Sequence, residues 1–207
     1  MRESNSNTVL NVPNALTTVR FVLSIVVFVL IPLHHYFAAM VVFVIAAGTD
    51  WIDGWWARKY GQVTKLGRIF DPFVDKILIC GTFISLCAEW PASGIAPWVA
   101  VVVMGREMLV TAIRSEIEGR GGDFSAKMMG KLKMVFQCVA AVASLLALQY
   151  WQQFLLPSGV KPGSTNFVPA WLYWTLHVSV WLAVISTVYS GLEYVVAAAR
   201  ILGKQGR

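Results

Sequence analysis

Charge is what this sequence has least of. Only 14% of its 207 residues are Asp, Glu, Lys or Arg, while 57% are hydrophobic. A soluble globular domain carries about 25% charged residues. A chain this poor in charge could not cover its own surface against water, so an ordinary soluble domain is excluded and lipid is the solvent the composition fits. Cysteine is also sparse. Cys80, Cys87 and Cys138 each lie in an apolar run, with no paired spacing and no histidine at ligand distance. That excludes a disulfide framework and a zinc site, and leaves three small buried hydrophobes. The polar stretch Met1–Asn14 lacks the basic-then-apolar order of a cleaved leader, so the apolar run after it reads as a membrane helix. Neither an internal repeat nor a low-complexity tract is apparent.

What is present is a series of six apolar stretches: Leu16–Leu33, Tyr36–Trp56, Phe70–Trp90, Ala96–Ile117, Met128–Tyr150 and Trp171–Ala199. Five are close to the roughly 20 residues a helix needs to cross a bilayer core and the sixth exceeds it, and Gly or Pro punctuates the intervals. The sequence predicts an all-α polytopic membrane protein with six transmembrane helices. The whole chain, residues 1–207, reads as one membrane domain, with 1–15 as an N-terminal segment and 200–207 as a tail. Of the 17 Lys and Arg residues, fifteen fall on one side of such an arrangement; Lys161 is alone on the other and Arg106 lies within the fourth span. Basic residues mark the cytoplasmic side, so both termini are expected there. Trp90, Trp98, Trp151, Trp171 and Trp174 fall where an interfacial aromatic belt is expected. His34, His35 and His177 lie toward the outer half and read as interfacial or packing residues. The net charge of +6 also suits a nucleic-acid binder, but the polar segments are too short to form a basic domain, and no nucleic-acid partner is expected.

Four of the five aspartates fall within 26 residues: Asp50, Asp53, Asp71 and Asp75. Ionisable groups at membrane depth are costly and are functional candidates by default. At 100° per residue, Asp50, Asp53, Gly54 and Ala57 share one helix face, and Gly67, Asp71 and Asp75 share another at i, i+4 and i+8. Two antiparallel helices could bring the four carboxylates to one point. Like charges so close repel unless cations neutralise them, and oxygen-only ligands suit Mg²⁺, Mn²⁺ or Ca²⁺. A pair of ions about 3.5–4 Å apart is the arrangement used in phosphoryl chemistry. The plainer reading pairs the aspartates with Arg58, Arg68 and Lys76 at the interface, but interfacial charges need not keep a helical period. Gly54, Ala57 and Gly67 either let helices approach closely or clear space for a flat ligand beside the cations.

The segment Asp50-Trp-Ile-Asp53-Gly54-Trp-Trp-Ala57-Arg58, then eight residues, Gly67, three residues, Asp71, three residues and Asp75, resembles the signature of the CDP-alcohol phosphotransferases. The resemblance implies a reaction in which an alcohol attacks the β-phosphorus of a CDP-linked donor and CMP leaves. It implies that Asp50, Asp53 and Asp71 hold divalent cations, a pair of Mg²⁺ or Mn²⁺ ions in the family's manner, and that Asp75 completes the metal site and takes the alcohol's proton. Gly54, Ala57, Arg58 and Gly67 then sit where the family holds the cytidine nucleotide, alongside Asp50 and Asp53. Homodimerisation is the family habit.

The acceptor is read from the remaining polar residues of the spans. Arg106, Glu107 and Arg114 share one side of the fourth helix, and Lys127, Lys131 and Lys133 open the fifth. The group is either a network that holds helices together or a basic pocket for a phosphate, which Arg grips in bidentate fashion; Lys133 also suits a positive-inside charge. A cationic pocket favours an acceptor with its own phosphate. The stretch Asn11-Val-Pro13-Asn14-Ala-Leu16-Thr17-Thr-Val-Arg20, Arg106-Glu107 with Arg114, and Gly130-Lys131-Leu-Lys133 resemble the branch of the family whose acceptor is glycerol 3-phosphate. That resemblance implies CDP-diacylglycerol as donor, membrane lipid as surroundings, an inner-membrane location with a cytoplasmic active site, and Asn14 and Thr17 bordering the nucleotide. Asn14 equally suits the N-cap of the first helix. The alternatives are a phosphatidylglycerol-using cardiolipin synthase, an inositol-phosphate enzyme of the same family, and, from another class, a small cation transporter. A transporter would place its carboxylates near the midplane within inverted repeats.

Overall fold

The computed structural model of the protein describes residues 12–60, 65–119, 128–155, 157, 159 and 169–205, with side chains described at 14–49, 70–117, 119, 132–154, 157, 159 and 169–200. The described residues form six α-helices and no strand: α1 Val12–Leu30, α2 Tyr36–Tyr60, α3 Lys65–Ala88, α4 Pro97–Gly119, α5 Met128–Tyr150 and α6 Ala170–Gln205, with a π-helical turn, Trp151–Leu155, following α5. The predicted all-helical class is what the structure has.

The helix ends show what the apolar runs could and could not mark. The chain leaves α1 through a Schellman turn: the His34 N–H donates to Ile31 O at 2.9 Å and the His35 N–H to Leu30 O at 3.0 Å. His34 takes the left-handed conformation, φ 59°, at the position glycine usually fills. The predicted end at Leu33 is therefore the end of this turn rather than of the α-helix. At its start, α1 begins at Val12, so Asn14 lies inside the first turn and is not the N-cap. Its carbonyl accepts from Thr18 Oγ1 at 2.9 Å. The α3 helix starts five residues before the predicted Phe70 and continues through Pro72, which contributes no N–H to the ladder. The α6 helix has 36 residues and passes the predicted Ala199, giving a length of about 54 Å, beyond the ~30 Å hydrocarbon core. Arg, Lys and Gln are good helix formers, so the helix outlasts its apolar run.

By contacts the chain divides into two compact units, Met1–Ser85 and Leu86–Arg207. Within the first, α1 packs along α2. The buried positions of α1 are 17, 20, 24, 27 and 31, a stripe spaced by three and four. Its N-terminal part is polar (Thr17, Arg20, Ser24), whereas the opposite face exposes Val19, Val22, Ile25, Val26 and Val29. Gly81 on α3 lies beneath the Phe28 ring of α1, where a Cβ would collide with the ring. A small residue there lets the two helices meet. Within the second unit, α6 packs against both α5 and α4. Gln137, Ser144, Thr187 and Ser190 are buried while Trp171, Trp174, Trp181, Ile185 and Leu192 are exposed. Gln137 Nε2 donates to Thr187 Oγ1 at 3.0 Å, and Ser144 Oγ to Ser93 O at 2.5 Å.

Both units thus bury several polar side chains within an otherwise apolar core and leave many large apolar ones outside, an exposed apolar surface larger than a water-soluble fold carries. Among the described residues, two stretches are long and apolar enough to cross a membrane: Leu132–Phe154, with mean hydropathy 1.7, and Ala170–Arg200, with 1.5. The apolar helical parts Asn14–Leu30 and Tyr36–Thr49 are shorter. Arg106, Glu107, Arg114 and Glu116 lower the hydropathy of α4.

Candidate active site

The first unit gathers polar groups from the N-terminal part of α1, the middle of α2 and the N-terminal half of α3. Thr17 and Arg20 stand at i and i+3 on the buried face of α1; Asp71 and Asp75 stand one turn apart on α3. The four join as two rungs. Thr17 Oγ1 donates to Asp71 Oδ1, and Arg20 Nη1 donates to Asp75 Oδ1 at 2.8 Å. The Arg20 Nε–H also reaches Thr49 Oγ1 at 3.4 Å, and Thr49 in turn donates to Ala46 O at 2.7 Å. Arg20 is wholly buried, while the Asp75 side chain keeps 26% of its surface exposed. A guanidinium can be held in such a place only with a carboxylate and further acceptors around it.

Asp50 follows Thr49 directly in α2, and Asp53 lies one turn further on. The side chains of Asp50, Asp53, Gly54, Ala57, Arg58 and Gly67 fall outside the described residues, although all six positions lie within helices. Among the described residues no group of three potential ligands forms. Two of the four predicted ligands, Asp71 and Asp75, are described, and both present carboxylates to the same end of α1. Their chemistry fits a hard divalent cation, since carboxylate oxygens are the donors such ions take. Asp50, Asp53, Asp71 and Asp75 are the residues that would hold it.

In the second unit, the cations predicted from α4 and α5 meet a face of α6. Arg106 Nη1 pairs with Glu107 Oε1 at 3.1 Å, and Lys133 Nζ donates to the same oxygen. The Arg106 Nε–H donates to Ser190 Oγ at 3.2 Å. Arg114 Nη2 donates to Tyr194 Oη at 3.2 Å. The guanidinium carbons of Arg106 and Arg114 lie 5.5 and 6.0 Å from the centre of the Tyr194 ring, within cation–π range. Gly191 makes room for this arrangement, since a Cβ there would stand 3.2 Å from Arg106 Cγ. The Nε of Arg114 is buried and has no hydrogen-bond acceptor among the described residues.

Arg106, Glu107, Arg114 and Lys133 are therefore brought together as predicted, with Arg114 turned to Tyr194 rather than to Glu107. Lys133 is buried, so it is not a plain positive-inside charge at the surface. The Lys131 side chain and all of Lys127 lie outside the described residues. Two contributions escaped the sequence reading. One is Arg20, which the sequence places among the orienting basic residues and at the end of the Asn11–Arg20 stretch, without a role in the site. The other is the α6 face made by Thr187, Ser190, Gly191 and Tyr194. Its signal was small and polar residues at i, i+3, i+4 and i+7 inside a long apolar run.

Comparison with known proteins agrees with the aspartate signature. The family model described as CDP-alcohol phosphatidyltransferase matches residues 10–189. The CDP-diacylglycerol–glycerol-3-phosphate 3-phosphatidyltransferase of Bacillus subtilis (strain 168) is 34% identical over 165 residues, 79% of this chain and 74% of its own length. The enzyme of the same name from Escherichia coli (strain K12) is 32% identical over 149 residues, 70% of this chain and 81% of its own. An Arabidopsis thaliana protein with that name and the suffix 2 is 30% identical over 155 residues, 70% of this chain and 63% of its own. With the family's match running from α1 into α6, over residues 10–189 and through both units, the chain belongs to the CDP-alcohol phosphatidyltransferase family.

Proposed function

We propose that this protein transfers the phosphatidyl group of CDP-diacylglycerol to glycerol 3-phosphate, giving phosphatidylglycerophosphate and CMP. The names of the bacterial and plant relatives support the reaction. The observation that carries the acceptor is Arg114, a half-buried side chain whose Nε–H is buried and lacks an acceptor among the described residues. Buried donors are ordinarily satisfied, and a phosphate is the group a guanidinium fork fits. Arg106 and Lys133, drawn to the same part of the second unit, add positive charge for it, and Lys127 and Lys131 are assigned to the same role.

In the first unit, Asp50, Asp53, Asp71 and Asp75 are assigned to a pair of Mg²⁺ or Mn²⁺ ions. When bound, such ions neutralise charge on the donor's pyrophosphate and on departing CMP. Thr17 holds Asp71 in place. Asp75 takes the proton of the acceptor hydroxyl as its oxygen bonds to the β-phosphorus and the bond to CMP breaks. Asn14, Thr17, Gly54, Ala57, Arg58 and Gly67 border the nucleotide. The apolar outer faces of α1, α2 and α6 support six spans, and the one-sided distribution of Lys and Arg supports cytoplasmic termini, an inner-membrane location and an active site facing the cytoplasm. The matched stretch runs through both units, which supports a single functional domain; homodimerisation follows the family habit.

The test is CMP release by purified protein offered CDP-diacylglycerol with a panel of acceptors. Release with glycerol 3-phosphate is expected. Release only with phosphatidylglycerol or inositol phosphate would replace the acceptor. Metal uptake into liposomes with no CMP formed would replace the reaction class.

A further inference from the structure

Three buried serines on α6 make the same local bond. Ser179, Ser186 and Ser190 donate to the carbonyls three residues back, at 2.9, 3.1 and 3.1 Å. Such a back-bond satisfies a hydroxyl inside an apolar helix, and for Ser179 and Ser186 it is the whole of their hydrogen bonding among the described residues. Ser190 does more. Its one proton is committed to Thr187 O, so its oxygen meets α4 as a fixed acceptor and takes the Arg106 Nε–H at 3.2 Å. The next residue, Gly191, carries the arginine's stem, since a Cβ there would stand 3.2 Å from Arg106 Cγ. One turn before Ser190, Thr187 accepts from Gln137 Nε2 at 3.0 Å, which ties this part of α6 to α5. At another corner of the fork, Arg106 Nη1 pairs with Glu107 Oε1 at 3.1 Å. Two nitrogens of the guanidinium are thus held, and Nη2 makes no hydrogen bond among the described residues. A planar fork pinned at two corners aims the third.

We propose that Ser190, with Gly191 beside it, is a positioning residue for the acceptor: it fixes the Arg106 guanidinium so that Nη2 is presented to the acceptor's phosphate. The proposal rests on the acceptor reading above and deepens it. Arginine has many rotamers, and pinning it before the ligand arrives removes that ordering cost from the binding step. The effect therefore falls on acceptor affinity, in ground state and transition state alike, and not on the donor or the chemical step. A serine that only satisfied its own helix would change the amount of folded protein and leave acceptor affinity where it was.

The experiment uses the full chain in detergent, as wild type, Ser190→Ala, Ser190→Thr, Gly191→Ala, Arg106→Lys and the double variant Ser190→Ala with Arg106→Lys. Ser186→Ala is the control for loss of a back-bond alone. Folded protein is scored by size-exclusion profile, kcat and KM by CMP release, and glycerol 3-phosphate affinity by calorimetric titration without donor. Ser190→Ala is expected to raise the acceptor KM and Kd about tenfold, the scale of one hydrogen bond to a charged group. The donor KM and kcat should stay within about twofold of wild type. Ser190→Thr keeps the oxygen and should return the acceptor KM to within about threefold of wild type. Gly191→Ala, which crowds the same stem, should raise it in the same direction. The double variant should bind the acceptor no more weakly than Arg106→Lys alone, because a lysine has no Nε–H for Ser190 to hold. An acceptor Kd for folded Ser190→Ala within about twofold of wild type overturns the proposal. So does an equal rise in Ser186→Ala, or an effect of Ser190→Ala undiminished in the Arg106→Lys background. If Ser190→Ala does not fold, Gly191→Ala decides: an unchanged acceptor Kd, or failure of both to fold, assigns the pair to structure alone. Wild-type protein that bound glycerol 3-phosphate but released no CMP would sink the transferase reading by itself, and the Kd comparison would still decide what Ser190 does. Wild-type protein that neither bound it nor released CMP would overturn both.

Discussion

Replacing Arg114 with alanine separates a binding role from a structural one. The side chain donates from Nη2 to Tyr194 Oη at 3.2 Å and lies 6.0 Å from the ring centre, with its Nε buried beside the same helix. If the guanidinium grips the acceptor's phosphate, the loss is one charge-assisted hydrogen bond or more, about 1.5–3 kcal/mol. At about 1.4 kcal/mol per decade, the apparent KM for glycerol 3-phosphate should rise about 10- to 150-fold. The KM for CDP-diacylglycerol should move less than about twofold, since the donor is assigned to residues of the first unit; that limit is a small fraction of one decade. The lost contacts to Tyr194, about 1 kcal/mol for the hydrogen bond and about 0.5–1 for the cation–π contact, should appear in the melting temperature of Arg114→Ala rather than in the ratio of KM values. Tyr194→Phe is the control: it removes only the hydroxyl, worth about 1 kcal/mol, so the acceptor KM should change by less than about fivefold. The assay is CMP release in mixed micelles, each substrate varied with the other saturating. An equal rise in both KM values, or an unchanged acceptor KM in Arg114→Ala, would refute the reasoning and leave Arg114 as a tie between α4 and α6.

Two further outcomes are expected. Gly81→Val places side-chain atoms where the Phe28 ring lies, and overpacking of this kind costs about 1–3 kcal/mol; a melting temperature in detergent equal to wild type would show that the ring turns away freely. Chelation by EDTA should stop CMP release, and added Mg²⁺ or Mn²⁺ should restore it, because the assigned ligands are carboxylates. Turnover that persists in EDTA would remove the cations from the account.

The helices were legible because in lipid a span is a composition before it is a pattern. The bounds of α5 match its apolar run at both ends, where glycine and tryptophan punctuate it. The end of α6 was not legible, because a helix can leave the apolar phase without breaking: Arg200 and Lys204 are compatible with helix on either side of the boundary. The carboxylates were legible for a related reason. In a chain so poor in acid, Asp71 and Asp75 at i and i+4 stand out, and the structure places both against α1. Arg20 was hidden by company. It is one of many basic residues on one side of the chain, and only its burial against Asp75 distinguishes it from a charge that sets orientation. Ser190, Gly191 and Tyr194 were hidden by mildness. None is charged, so a search for ionisable groups in the spans passed over the face that receives Arg106 and Arg114.

The central claim is that the acceptor carries its own phosphate into the product. Glycerol 3-phosphate labelled with ³²P, incubated with purified protein, unlabelled CDP-diacylglycerol and Mg²⁺, tests it directly. The account predicts that label enters a lipid of the mass of phosphatidylglycerophosphate, one for each CMP released, and that adding inositol phosphate or phosphatidylglycerol in place of glycerol 3-phosphate yields no CMP. CMP release without label in the lipid fraction would contradict it.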